Sequence, residues 1–277
     1  VVVVPYFDGV VGQVYFKAWR VPSPRAVVVF LHGFGEHSGL YHRFANALNG
    51  SDIEVWALDE VGHGLSDGDR AVIASIDDLV ENGRQLVALA EAANPGRPIV
   101  LAGHSLGAVA AAVSASRDPS RLEGLILSGA PLSSLGWVLS LVADDPEGGL
   151  DLDPTDLSLD PFYLDELEHD PLAFTSTAGA GSLLATLPPA WVELELGFEA
   201  IALPVLFVHG GNDPIVPVSD ARSWSARIPD GRITEFPGAH HDVLNETVHR
   251  EVAAVVADFV ISVAEVADPA NTLAIAR

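Results

Sequence analysis

Cysteine is absent from the 277 residues. Disulfides, thiolate metal sites and a cysteine nucleophile are therefore excluded, and the redox compartment is left open. Lysine is nearly absent: Lys17 stands alone, and Lys and Arg together number 14 against 38 acids. The formal charge of −24 repels polyanions, which argues against nucleic acid and anionic lipid as main partners. Its simplest physical use is solubility, as in a salt-adapted or GC-rich source. Long apolar runs are missing too. Mean hydropathy is high at +0.31, yet no run reaches the roughly 18 residues of a membrane helix; dense stretches such as Val27 to Leu31 are strand-sized. No basic segment followed by an apolar one opens the chain, so no signal peptide is expected and the expected location is cytoplasmic. The chain begins at Val1 and not at Met, which keeps a removed leader, secretion or surface association open.

What is present is the material of a large core. Apolar residues make up 49%, punctuated by 25 Gly and 19 Pro. That excludes a disordered or fibrous chain and suits one α/β domain with an insertion. Strands are predicted at Val14 to Ala18, Ala26 to Leu31, Ile53 to Leu58, Ile99 to Ala102, Leu125 to Ser128, Val205 to Val208 and Arg232 to Phe236. Helices are predicted at Tyr41 to Leu48, from the capping box Ser75–Asp78 to about Ala93, at Leu106 to Ser116, Ser219 to Ile228 and Thr247 to Ala264. Regular alternation implies a mostly parallel central sheet with helices on both faces, its chemistry at the carboxyl ends of the strands. The rhythm breaks after Ala130. Residues 131–199 hold an amphipathic stretch, Leu132 to Val142, then an acid-rich one, Asp144 to Asp170. This is too long for a loop and is read as an inserted cap, leaving 1–130 and 200–277 as the core. Asp151, Asp153 and Asp156 lack the spacing of a calcium loop, so no metal is expected there.

Gly103-His104-Ser105-Leu106-Gly107 fits G-x-S-x-G between a predicted strand and a predicted helix. A sharp turn there exposes the serine oxygen, and Ser105 is the candidate nucleophile. A serine hydroxyl needs a base, and the base an orienting acid. Asp213 lies just past the strand Val205 to Val208, and His240 and His241 lie past Arg232 to Phe236. The order Ser, Asp, His is that of α/β-hydrolases. Only one of the two adjacent histidines can face Ser105, and the spacing leaves both open. An oxyanion needs backbone N–H donors; Leu106, after the nucleophile, and Phe34, in the turn His32-Gly33-Phe34-Gly35, are the candidates. The spacing of Leu135, Trp137, Val138 and Leu141 puts them on one helical face, which suits an acyl tail or the packing of the cap.

Five segments together resemble the monoacylglycerol lipases. These are His32 to Gly39 with Tyr41, Asp59 to Gly68, the turn Gly103 to Gly107, the strand-end Asp213, and Gly238 to Glu246. The resemblance implies an α/β-hydrolase fold with a cap, a Ser–His–Asp triad, no cofactor, and hydrolysis of monoglycerides or simple esters. Its register puts the base on His241. It implies a small lipid or ester as partner, with transient contact with neutral lipid surfaces at most. Leu40 stands where many members carry Arg, Leu244 where some carry a polar residue, and Glu60 where His is commoner. The two leucines are expected to make the pocket less polar. Glu36 either binds a substrate hydroxyl or, buried, holds the oxyanion turn. His32, His63 and His104 are expected to anchor loops. A general carboxylesterase, a lysophospholipase, a proline-type aminopeptidase and a non-catalytic binding protein on the same fold are the alternatives.

Overall fold

The computed structural model describes residues 5–144, 149–177 and 181–267, with the side chains of 141–144 and 182–185 outside the described set. Strands β1 (Tyr6–Asp8), β2 (Gln13–Trp19), β3 (Ala26–Leu31), β4 (Ile53–Leu58), β5 (Ile99–His104) and β6 (Gly124–Ser128) precede a short pair, β7 (Leu150–Asp151) and β8 (Ser176–Thr177). β9 (Val205–Gly210) and β10 (Gly231–Phe236) follow. All but the short pair form one 8-stranded sheet, in the order β1-β2-β4-β3-β5-β6-β9-β10. β1 with β2 and β2 with β4 pair antiparallel; every other neighbour is parallel.

Strand alternation builds a core on each face. In β3, Val27, Val29 and Leu31 join one apolar cluster, while Ala26, Val28 and Phe30 join the other. β5 divides likewise, Ile99 and Leu101 against Val100 and Ala102. Successive side chains point to opposite faces, so a strand buried on both reads as an unbroken apolar run. Helices α2 (Ile76–Ala93), α3 (Leu106–Arg117) and α8 (Val218–Arg227) cover the first face; α1 (His42–Asn49) and α9 (His249–Ala267) cover the second.

Between β6 and β9 the chain forms α4 (Gly136–Asp144), α5 (Pro154–Leu157), α6 (Pro161–His169) and α7 (Gly181–Gly197) around the β7–β8 pair. The acids of this segment have local uses. Asp153 caps α5 and Asp160 caps α6, each accepting backbone N–H groups. Asp160 also meets Arg43 at 3.1 Å, and Asp170 meets His37 at 3.1 Å. Phe174 N–H donates to the Gly35 carbonyl at 2.8 Å. This half of the insertion is thus tied by polar contacts to the turn after β3.

Several boundaries differ from the expectation. β1 was not expected; three residues are too few to carry a period. β5 and β9 each run two residues further, through His104 and Gly210. Of the amphipathic stretch Leu132 to Val142, only the part from Gly136 is in α4; the N–H groups of Leu132 and Ser133 donate to Asp220 Oδ2 at 3.1 Å. Ser75 does cap α2, but its Oγ accepts from Asp77 N–H at 3.1 Å, so the box with Asp78 is not reciprocal.

Candidate active site

The parallel strands end along one edge, and the candidate residues gather there. Ser105 joins β5 to α3 with φ 49° and ψ −117°. That backbone is costly for a residue with a Cβ, and such strain persists only where the surroundings enforce it. The flanking glycines show the enforcement. A Cβ on Gly103 would lie 2.3 Å from the Gly107 carbonyl oxygen, and one on Gly107 would lie 2.2 Å from that of Leu31. Only bare backbone lets α3 start so close to β3 and β5.

His241 Nε2 lies 2.9 Å from Ser105 Oγ, and His241 Nδ1 lies 2.8 Å from Asp213 Oδ2. A carboxylate can only accept, so Nδ1 carries the ring proton and Nε2 is free to accept from the serine. The Asp213 side chain is fully buried. Its Oδ1 accepts from the N–H groups of Ile215 and Val216, both at 2.9 Å. Its Oδ2 is also 3.1 Å from His209 Nε2, which donates to the Val216 carbonyl at 2.9 Å as well. Burial pushes the Asp213 carboxyl up, but His241 and the hydrogen bonds from His209 and His241 outweigh it and hold the carboxyl well below the usual range. His209 was not singled out from sequence; its only signal was a strand-end position four residues before Asp213. His240 turns away, its Nδ1 2.6 Å from the Thr155 carbonyl.

The turn after β3 is held from several sides. His32 Nε2 accepts from Glu60 N–H at 2.8 Å, so its Nδ1 carries the proton and donates to the Gly33 carbonyl at 2.7 Å. The Glu36 N–H reaches the same carbonyl at 3.3 Å. That carbonyl and the Phe34 N–H belong to one planar trans peptide, so anchoring the oxygen aims the N–H to the opposite side. Among the described residues, neither the Phe34 N–H nor the Leu106 N–H has a protein acceptor, and both residues line the cavity at Ser105. Burial pushes the imidazoles of His32 and His63 down to about 3, so both stay neutral.

Glu36 is 3% exposed, and its oxygens are occupied. Oε2 accepts from Gly33 N–H at 2.8 Å and from Tyr41 Oη at 2.6 Å, and Oε1 from Tyr163 Oη at 2.6 Å. Burial first, and the Asp242 carboxylate second, push the Glu36 carboxyl up to about 8. Of the two roles open from sequence, these contacts fit the one that holds the turn. Glu36, His104 and Asp242 are the one group among the described residues that brings three metal-ligand atoms within 4.8 Å of one another.

A cavity opens at Ser105 and His241. Its walls are mostly apolar: Leu135, Trp137 and Val138 from the start of the insertion, then Leu150, Leu152, Leu157 and Leu187, with Ile215 and Val216 from the core. The Leu141 side chain lies outside the described residues. Leu40 and Leu244 correct the sequence reading. Both are 1% exposed and pack in the core on the face of α1 and α9, away from the cavity. Their apolar character is accounted for by core packing and leaves the pocket's polarity untouched.

Sheet order, strained serine turn and Asp–His–Ser line together define an α/β-hydrolase. The chain belongs to the family described as serine aminopeptidase, S33, whose pattern matches residues 22–248. Among its relatives is the monoacylglycerol lipase of Mycolicibacterium smegmatis, 30% identical over 271 residues that cover 92% of this chain and 96% of the relative. The human monoglyceride lipase is 29% identical over 91% of this chain and 86% of its own length. The crystal structure of the Paleococcus ferrophilus monoacylglycerol lipase superposes with a TM-score of 0.77 at 27% identity, covering 90% of this chain and 99% of that one. No helix among the described residues is long and apolar enough to cross a membrane.

Proposed function

We propose that the protein is a carboxylic ester hydrolase whose preferred substrates are monoacylglycerols and other single-chain esters. The observation that carries this is the unbroken line Asp213–His241–Ser105 at the mouth of an apolar cavity. Ser105 Oγ attacks the ester carbonyl as His241 Nε2 takes its proton. The carbonyl oxygen, now negative, accepts from the N–H groups of Phe34 and Leu106. The intermediate collapses to an acyl-Ser105, and the alcohol leaves with the proton from His241. Water then gives up a proton to His241, attacks the acyl carbon and releases the acid. Asp213 keeps the imidazole in the required tautomer and stabilises its charged form. Residues 131–199 act as the cap, with Leu135 and Val138 against the acyl chain. No step needs a metal or cofactor.

The names of the relatives support the substrate class, and so does the lining. An aminopeptidase would need a free carboxylate for the substrate's ammonium group. Among the described residues Glu36 is the one carboxylate in the lining, and three donors already occupy its oxygens. The test is a panel of a monoglyceride, the matching triglyceride, p-nitrophenyl esters and aminoacyl anilides, run on the wild type and on Ser105→Ala. Monoglyceride and short p-nitrophenyl esters should turn over, with Ser105→Ala lower by about a million-fold. A kcat/KM for long-chain triglyceride at or above that for the monoglyceride, or turnover of the anilides alone, would overturn the reading.

A further inference from the structure

Behind the oxyanion turn, two carboxyl groups face each other away from solvent. Glu36 and Asp242 are 3% and 0% exposed. One oxygen of each and a ring nitrogen of His104 lie within 4.8 Å of one another. The contacts on Glu36 are all donors: Gly33 N–H and Tyr41 Oη on Oε2, Tyr163 Oη on Oε1. Such a shell suits a carboxyl group and would oppose a bound cation. Asp242 Oδ2 accepts from Asn245 Nδ2 at 2.9 Å, while among the described residues Asp242 Oδ1 has no hydrogen-bond partner. Two carboxylates this close and this dry cannot both be ionised. A proton on Glu36 removes the repulsion and supplies Asp242 Oδ1 with the donor it lacks.

We infer that Glu36 and Asp242 share a single proton and that, with Tyr163, they are positioning residues that set the oxyanion turn. The inference rests on the hydrolase reading for its kinetic arm alone. Tyr163 sits on α6, inside the insertion, so its hydroxyl adds a contact to the buried Glu36 beside the insertion's Phe174 bond to Gly35. From Glu36 the constraint passes to the Gly33 N–H, and the Gly33 carbonyl is fixed by His32. The next amide is the Phe34 N–H. On the other side, Asp242 follows His241 in the chain. The charged or titratable groups facing the pair are Tyr41 from the turn before α1, Tyr163 from α6 and His104 from β5. His241 lies beyond His104, their ring centroids 4.8 Å apart. Burial and the neighbouring carboxylate favour keeping the proton, and the two tyrosine hydroxyls favour losing it.

Loss of the shared proton places a second charge in the cluster and loosens the turn. The wild type should therefore lose kcat as the pH rises through about 8. In Glu36→Gln the amide oxygen can accept from Gly33 and Tyr41 while its NH2 donates to Asp242. This variant should keep at least about ten times the kcat of Glu36→Leu and should lack the alkaline fall. Tyr163→Phe should lower kcat about tenfold with KM within about twofold, because an oxyanion donor acts on the transition state. It should also move the alkaline fall to higher pH, since a donor to the ionised form is gone. Infrared spectroscopy reads the proton without turnover: the wild type at neutral pH should show a buried protonated-carboxyl stretch that Glu36→Gln lacks. A wild type without that band, a Glu36→Gln that keeps the alkaline fall, or a Tyr163→Phe that changes KM and spares kcat would overturn the inference. The band in a wild type that hydrolyses no ester would support the shared proton and refute the hydrolase reading.

Discussion

The adjacent histidines 240 and 241 provide a decisive contrast, because they differ by one residue in sequence and wholly in contacts. Replacing His241 by alanine leaves Ser105 Oγ without the acceptor now 2.9 Å away. Loss of the general base in such a triad costs about a million-fold in kcat, or about 8 kcal/mol of transition-state stabilisation. The fold should survive. Asp213 loses one donor but keeps the N–H groups of Ile215 and Val216 and the His209 ring. The expected destabilisation is about 1–3 kcal/mol, which for a chain of this size lowers Tm by about 2–4 °C per kcal/mol. His240→Ala loses a hydrogen bond to the Thr155 carbonyl, worth about 1 kcal/mol, and nothing at Ser105. Its kcat should stay within about tenfold of wild type. Both are measured with p-nitrophenyl butyrate, with a thermal melt as control for folding. If His240→Ala lost as much kcat as His241→Ala, or more, the assignment of the base would be wrong by one residue.

Two further outcomes follow from the buried groups and the cavity. His32 and His63 stay neutral in the fold down to about pH 3 but titrate near pH 6.5 when unfolded. Below 6.5 the unfolded chain binds protons that the fold refuses, so stability is lost as pH falls, by about 2 kcal/mol per histidine at pH 5; urea midpoints at pH 7 and pH 5 measure this, and a midpoint independent of pH would refute it. Val138 is 1% exposed and lines the cavity. Val138→Phe should shorten the accepted acyl chain, cutting kcat/KM for long p-nitrophenyl esters at least about tenfold more than for short ones; equal loss across the series would mean that Val138 serves packing alone.

The parallel core was legible because β3, β4, β5, β6 and β9 are buried on both faces and read as largely apolar runs. Ala26 to Leu31 and Ile53 to Leu58 end where expected. The neighbourhood of Ser105 was legible because its geometry demands glycine on both sides. Tertiary hydrogen bonds were not legible. Nothing in the sequence says that Asp220 accepts from the N–H groups of Leu132 and Ser133, or that Tyr163 reaches Glu36 across 127 positions. Leu40 and Leu244 were misplaced for the same reason: a residue near a site in sequence can still face the core. His240 and His241 are equivalent by spacing, and in the sequence only the family register favoured His241, whose Nε2 lies 2.9 Å from Ser105 Oγ.

The sheet order has a consequence for how activity relates to folding. In the proposed mechanism the oxyanion turn follows β3, the nucleophile β5, the acid β9 and the base β10, and Ser105 and His241 are 136 positions apart. β10 lies at the far edge of the sheet and pairs only with β9. No fragment shorter than Phe34 to His241 holds the whole set of proposed groups, and a chain stalled before that edge docks would lack His241 at Ser105. Contacts of such long range form slowly, since loop closure must precede any gain. Enzymatic competence therefore arrives with the last strand, and a turnover assay doubles as a gauge of complete assembly, silent toward every partly formed intermediate.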